Sequence, residues 1–193
     1  MKYIFLAAAI ATLAFTTAPS GKWTLDNSHS RLGFVLNHMG IAELQGDFRT
    51  VSASITTKGP DFNDAVIELT AATGSINTGF QMRDDHLKTA DFFDSEKFPD
   101  MTFKSSSVKK MKGSEKDYEV KGKLTLHGIT KDVTLKATHS GSSKTKSGSD
   151  LAGFKVTGTI KRSDFGVGAS LPSSVASDEV QLNADIEVAT NQE

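Results

Sequence analysis

The stretch YEVKGKLTLHGITKDVTLKAT, residues 118–138, opens with a faultless alternation over residues 118–127. Tyr118, Val120, Gly122, Leu124 and Leu126 take one side, and Glu119, Lys121, Lys123 and Thr125 take the other. A period of two marks a half-buried strand, because successive side chains of an extended chain point to opposite faces. His127-Gly128 then turns the chain, and Val133, Leu135 and Ala137 resume the alternation. The stretch therefore predicts a β-hairpin.

The same period runs outward in both directions. Upstream it is carried by Trp23 and Leu25, by Leu32, Phe34, Leu36 and His38, by Ala42, Leu44, Gly46 and Phe48, by Val51, Ala53 and Ile55, by Ala65, Ile67, Leu69 and Ala71, and by Met101 and Phe103. Downstream, Ala152 to Ile160 and Val180 to Val188 continue it. Gly59-Pro60 is a turn signal, Lys109–Asp117 a charged hairpin tip, and the Ser/Gly/Lys tract Ser140–Asp150 a long mobile loop. About eight strands with one apolar and one polar face call for a closed antiparallel barrel or a two-sheet sandwich. One short helix is expected near residues 84–93, with Asp84 as its cap and Leu87 and Phe93 on its apolar face.

Composition narrows the class. The chain has 193 residues, no cysteine and a formal net charge of −1, from 22 basic and 23 acidic residues. Disulfide frameworks, thiolate metal sites and cysteine nucleophiles are excluded. The charge balance is not that of a nucleic-acid binder. Lys2, the apolar run Ile4 to Phe15 and the small residues Ala18 and Ser20 read as a secretory signal peptide over residues 1–20. That run is too short to span a bilayer, which takes about 20 apolar residues. One exported domain, residues 21–193, without stable membrane insertion, is expected in the periplasm.

Twelve phenylalanines stand against one tryptophan and two tyrosines. Such rings have no polar handle, so they want a dry interior or an apolar ligand. On the inward face they alternate with small residues, among them Gly46, Ala53, Gly122, Ala137, Gly158 and Ala184. Two readings stay open. In one, the glycines mark bends and bulges of a filled barrel; in the other, the gaps join into an apolar tunnel. The tunnel would be lined by Phe34, Leu36, Phe48, Ile67, Leu69, Phe103, Leu124, Leu126, Leu135, Phe154, Val156 and Ile160.

Catalytic signals are few. No G-x-S-x-G elbow is present, and Gly166-Val167-Gly168 lacks the third glycine of a dinucleotide fingerprint. The histidines His29, His38, His86, His127 and His139 show no metal-ligand spacing, so neither a metal nor a cofactor is expected. Two charged clusters stand out: Arg83, Asp84 and His86, and Arg162 with Asp164. Either they form a polar gate that pairs an anionic head group at a barrel mouth, or they are capping groups and ion pairs that pin connections.

Several segments together resemble the YceI family. They are Trp23–Asp26 with His29 and Ser30, Phe34–His38, Gly46–Phe48, Ser75–Thr78, Arg83–Leu87, Asp91–Asp94, Phe98-Pro99, Gly122–Lys131 and Arg162–Gly166. The resemblance covers residues 22–188 in order. It implies a lipocalin-like closed antiparallel β-barrel that holds a long apolar molecule of polyisoprenoid, quinone or acyl type. Homodimers are common in that family, and the resemblance brings no catalytic residues. The expected function is sequestration or transport of such a lipid. The alternatives are an enzyme acting on an isoprenoid or acyl substrate at the barrel mouth, and a filled-barrel stress-response or interaction protein.

Overall fold

The computed structural model describes residues 21–59 and 61–190; the expected signal peptide at 1–20 lies outside the described residues. Eleven strands form one antiparallel sheet: β1 (Gly21–Leu25), β2 (Arg31–His38), β3 (Ala42–Phe48), β4 (Val51–Thr57), β5 (Val66–Ala72), β6 (Ile76–Asn77), β7 (Asp100–Lys110), β8 (Asp117–Leu126), β9 (Ile129–Lys144), β10 (Asp150–Lys161) and β11 (Ala176–Thr190). The first six are halves of three interrupted strands. β1 and β2 both run along β11, at Leu25↔Val188 and then Arg31↔Asp185. β4 pairs with β1 and β5, while β3 pairs with β2 and β6. Joined across residues 26–30, 49–50 and 73–75, the pieces make an eight-stranded meander, which β1 and β11 close into a barrel.

Closure removes the sandwich alternative and every long unpaired edge. The quoted hairpin is β8–β9, paired from Leu126↔Ile129 to Asp117↔Thr138. Its loop is His127-Gly128, both with positive φ (52° and 73°), the conformation of the two-residue turn that matches strand twist. His127 holds this conformation without being glycine. Its Nδ1–H donates to the Phe165 carbonyl at 3.1 Å, and its ring packs edge-on against Phe98.

Two expectations about elements are corrected. The helix α1 spans Gln81–Leu87, three residues earlier than expected at its start and six earlier at its end. Phe80 occupies the cap position without a side-chain bond, and Asp84 instead accepts hydrogen bonds from the Thr78 backbone N–H (2.8 Å) and hydroxyl (2.5 Å). The Ser140–Asp150 tract is mostly strand: Ser142, Ser143 and Lys144 pair with Ala152, Leu151 and Asp150, leaving a turn at 145–149. An extended backbone hydrogen-bonds whatever its side chains are, and the Lys144–Asp150 ion pair at 2.5 Å holds the end of the ladder.

The two ends of the barrel differ. At the first lie the β2–β3 turn, α1 with residues 88–99, the β8–β9 turn and the β10–β11 connection. At the second, the β4–β5 connection folds Phe62 inward against Trp23 (ring centroids 5.3 Å apart) and Phe154 (4.7 Å). Trp23 is fully buried and its indole N–H donates to Thr57 Oγ1 at 3.4 Å. This aromatic cluster plugs the second end, the edge-on Phe62–Phe154 pair adding about 1 kcal/mol beyond area burial.

Candidate functional site

Between the plug and α1 lies a cavity of about 460 Å³ with an almost wholly apolar wall. Its size falls within the roughly 300–1,000 Å³ typical of small-molecule sites. All twelve residues expected to line a tunnel face it: Phe34, Leu36, Phe48, Ile67, Leu69, Phe103, Leu124, Leu126, Leu135, Phe154, Val156 and Ile160. The filled-barrel reading is therefore corrected.

The inward glycines do not leave gaps as expected. A Cβ on Gly46 would sit 2.3 Å from the Phe34 ring, directly across the β2–β3 ladder. One on Gly122 would meet the Phe103 ring and the Lys104 carbonyl oxygen, both at 2.5 Å, beside the bulge between Ser105 and Ser107. One on Gly158 would meet Leu135 at 2.5 Å. Each glycine lets a neighbouring side chain lie flat along the wall instead of projecting inward. The space this frees is in the lumen.

Residues 87–101 and 167–176 complete the first end. Leu87, Phe92 and Phe93 cover it from the α1 side, with Phe93 edge-on to Phe48 at 5.7 Å, and Leu171 and Val175 contribute from the β10–β11 connection. Leu87 and Phe93 were expected on the apolar face of the helix but not in the wall, while Phe92, Leu171 and Val175 lie outside the strands, where alternation gives no signal.

The five residues expected to form a polar gate separate into two groups. Arg83 and His86 line the cavity. Arg83 donates from Nε to Thr78 Oγ1 (2.7 Å) and from Nη2 to the Thr78 carbonyl (2.9 Å), and its guanidinium lies 5.8 Å from the Phe80 ring centre. Its guanidinium has no carboxylate partner among the described residues. His86 stands edge-on to Phe92 at 5.0 Å, with Asp91 3.8 Å from its Nε2.

Arg162 also reaches the wall, but all three of its nitrogens are engaged. It is buried and donates to the carbonyls of Val167 (3.2 Å), Gly168 (2.6 Å), Leu171 (2.6 Å), Ala176 (3.1 Å) and Ser177 (3.3 Å). A planar fork of donors suits such a set of acceptors, so Arg162 is the clasp of the β10–β11 connection. Asp84 is buried on Thr78, and Asp164 is exposed in the short 3₁₀ turn after β10; neither lines the cavity.

One cluster was invisible in the sequence. His29 Nδ1 lies 3.0 Å from Asp26 Oδ2 and 3.6 Å from Glu187 Oε1, which joins the β1–β2 break to β11. The hydroxyl of Ser28, then the His29 ring and the Ser28 amide, hold the Asp26 carboxyl down to about 2. The Asp26 hydrogen bond, then the charges of Asp26 and Glu187, raise the His29 imidazole. These are also the described residues whose possible metal-ligand atoms converge, within 4.8 Å of one another; as hydrogen-bonded here they form an ion-pair clasp.

Fold and cavity together define a lipocalin-like barrel enclosing an apolar chamber. The chain belongs to the YceI family: the YceI-like domain matches residues 23–188. It is 36% identical over 191 residues to Protein YceI of Salmonella arizonae, covering 97% of each chain. It is also similar to the crystal structure of BcnA from Burkholderia cenocepacia, with a TM-score of 0.75 and 27% identity over 84% of this chain and 98% of that one. A polyisoprenoid binding domain from Saccharophagus degradans shares the fold alone, with a TM-score of 0.63 and 19% identity over 88% of this chain and 98% of that one.

Proposed function

We propose that the barrel binds one long apolar chain, of polyisoprenoid, quinone or acyl type, and sequesters or carries it in the periplasm. The observation that carries this reading is the continuous apolar cavity of about 460 Å³, walled by side chains from nearly every strand. Burying ten methylene groups yields about 8 kcal/mol gross, which before association costs are subtracted corresponds to micromolar binding. The fold shared with a polyisoprenoid binding domain and the membership of the YceI family support the same class of ligand. Binding is favoured over catalysis because the wall is so largely apolar: His38, Arg83, His86, Arg162 and the Tyr118 phenol are its polar side chains, with no nucleophile and base set together. No helix among the described residues is long and apolar enough to cross a membrane.

Arg83 and His86 give the cavity a polar rim, and the head of a bound amphiphile sits there in this reading, with its tail toward the Phe62 plug. The test is uptake of a fluorescent polyprenyl probe by the full chain and by Leu69→Trp. Leu69 is half-buried and faces the lumen, so an indole there occupies ligand space. Saturable one-to-one uptake by the wild type, reduced at least about tenfold in a folded Leu69→Trp protein, supports the proposal. Equal uptake by both places the probe elsewhere and refutes it.

A further inference from the structure

Large apolar side chains that stay exposed are gathered at one end. Met39, Ile41, Phe80, Met82 and Ile129 lie at the end that carries α1, against Val66 and Met111 at the other. The most exposed are Ile41 at 83% and Met82 at 74%. They stand on two uncharged tips, MGIA at 39–42 and GFQM at 79–82. Charge is found at both ends: Lys109, Lys110, Lys112, Glu115 and Lys116 around the β7–β8 turn at the opposite end, and Asp85, Lys88, Asp91, Asp94, Glu96 and Lys97 in and after α1 at this one, outside the two tips.

Both uncharged tips border the cavity. His38, which lines it, directly precedes Met39, and Arg83, which also lines it, follows Met82. We infer that this end docks on a lipid bilayer surface, with the two tips in the interface and the cavity mouth facing the membrane. The inference rests on the chain-binding reading and names the partner of that site.

Two observations favour a bilayer over a second copy of the chain. The tips are convex: little of the Ile41 side chain rests on its own fold, so two such tips offer each other no complementary hollow. The patch is continuous with the rim of an apolar chamber, so a chain passing from bilayer to lumen need not cross water. Because the tips carry no charge, docking needs no anionic lipid and persists at about 1 M salt, where the Debye length is only ~3 Å.

The test uses the full chain with vesicles of phosphatidylethanolamine and phosphatidylglycerol, comparing wild type with the double variant Ile41→Ser, Met82→Ser. Flotation with the vesicles is expected for the wild type at low and high salt, reduced about tenfold or more in the variant. Transfer of a vesicle-held polyprenyl probe slows in parallel, while uptake of the same probe from detergent solution is unchanged. Wild-type protein that takes up the probe but never floats overturns docking and leaves the chain-binding reading standing. So does a dimer that the two substitutions dissociate, which makes the face an interface between copies. Flotation without uptake from either source supports docking and overturns chain binding instead.

Discussion

Gly46 and Gly122 show how a residue without a side chain shapes a cavity. A methyl group at Gly46 drives into the Phe34 ring, which can swing only toward the lumen. Gly46→Ala is expected to cost about 1–3 kcal/mol and to shrink the ligand space; urea unfolding with probe titration measures both. At Gly122 the obstacle includes the Lys104 backbone carbonyl, which cannot swing, so Gly122→Leu destabilises the barrel whether or not the lumen is hollow. The two arginines of the rim part in a similar way. Arg162→Lys leaves buried carbonyls of the 167–177 segment without donors and is expected to lose about 2–3 kcal/mol of stability, with faster amide exchange through that segment. Arg83→Gln gives up hydrogen bonds to Thr78 and is expected to lose less stability than Arg162→Lys, yet to weaken an anionic-headed chain about tenfold relative to its neutral alcohol. An equal loss for both ligands assigns Arg83 a structural part instead. The sequence singled out these charged residues but not their separation, since Arg162 acts through the carbonyls of residues that follow it in a turn, where no pattern is visible.

Among the elements, alternation made the β8–β9 hairpin and the long strands readable, while the breaks were not. The interruption at residues 26–30 depends on Glu187, more than 150 positions away, which closes the clasp onto β11. Its pH dependence has a defined sign. Asp26, held down to about 2 from an ordinary 3.8, contributes stability above about pH 4 that is lost as the pH falls toward 2. His29, raised above an ordinary 6.5, contributes stability fully present below that value and lost as the pH rises through the raised one. The clasp is therefore strongest between about pH 4 and pH 6. Burial lowers the His139 imidazole, which acts in the opposite sense over the same range, so the clasp is read from a variant: His29→Asn should lower the urea midpoint more at pH 5 than at pH 8, and an equal change at both removes the clasp from the pH response. Helix α1 was displaced in the sequence reading because Asp84 resembles a cap, whereas its carboxylate turns back to Thr78. The Ser/Gly/Lys tract looked mobile by composition, yet a long partner strand was there to pair with it.

For the whole molecule, the inward alternation pointed to a closed barrel or a two-sheet sandwich, the surplus of phenylalanine to a dry interior or an apolar ligand, and the resemblance to the YceI family to the barrel. The sequence left open whether that interior was filled or hollow. Hollowness depends on which neighbour lies over each glycine, a matter of register between strands. The resulting molecule is plugged by aromatic rings at one end and rimmed by Arg83 and His86 at the other, with about 460 Å³ between. Native mass spectrometry of the full-length protein, purified without detergent from its own host, tests most directly whether this chamber holds a chain. The expected result is a one-to-one complex with a long-chain lipid that solvent extraction releases and added polyprenol restores. Protein that is reproducibly empty, and that stays empty with prenyl and acyl chains in excess, would contradict it.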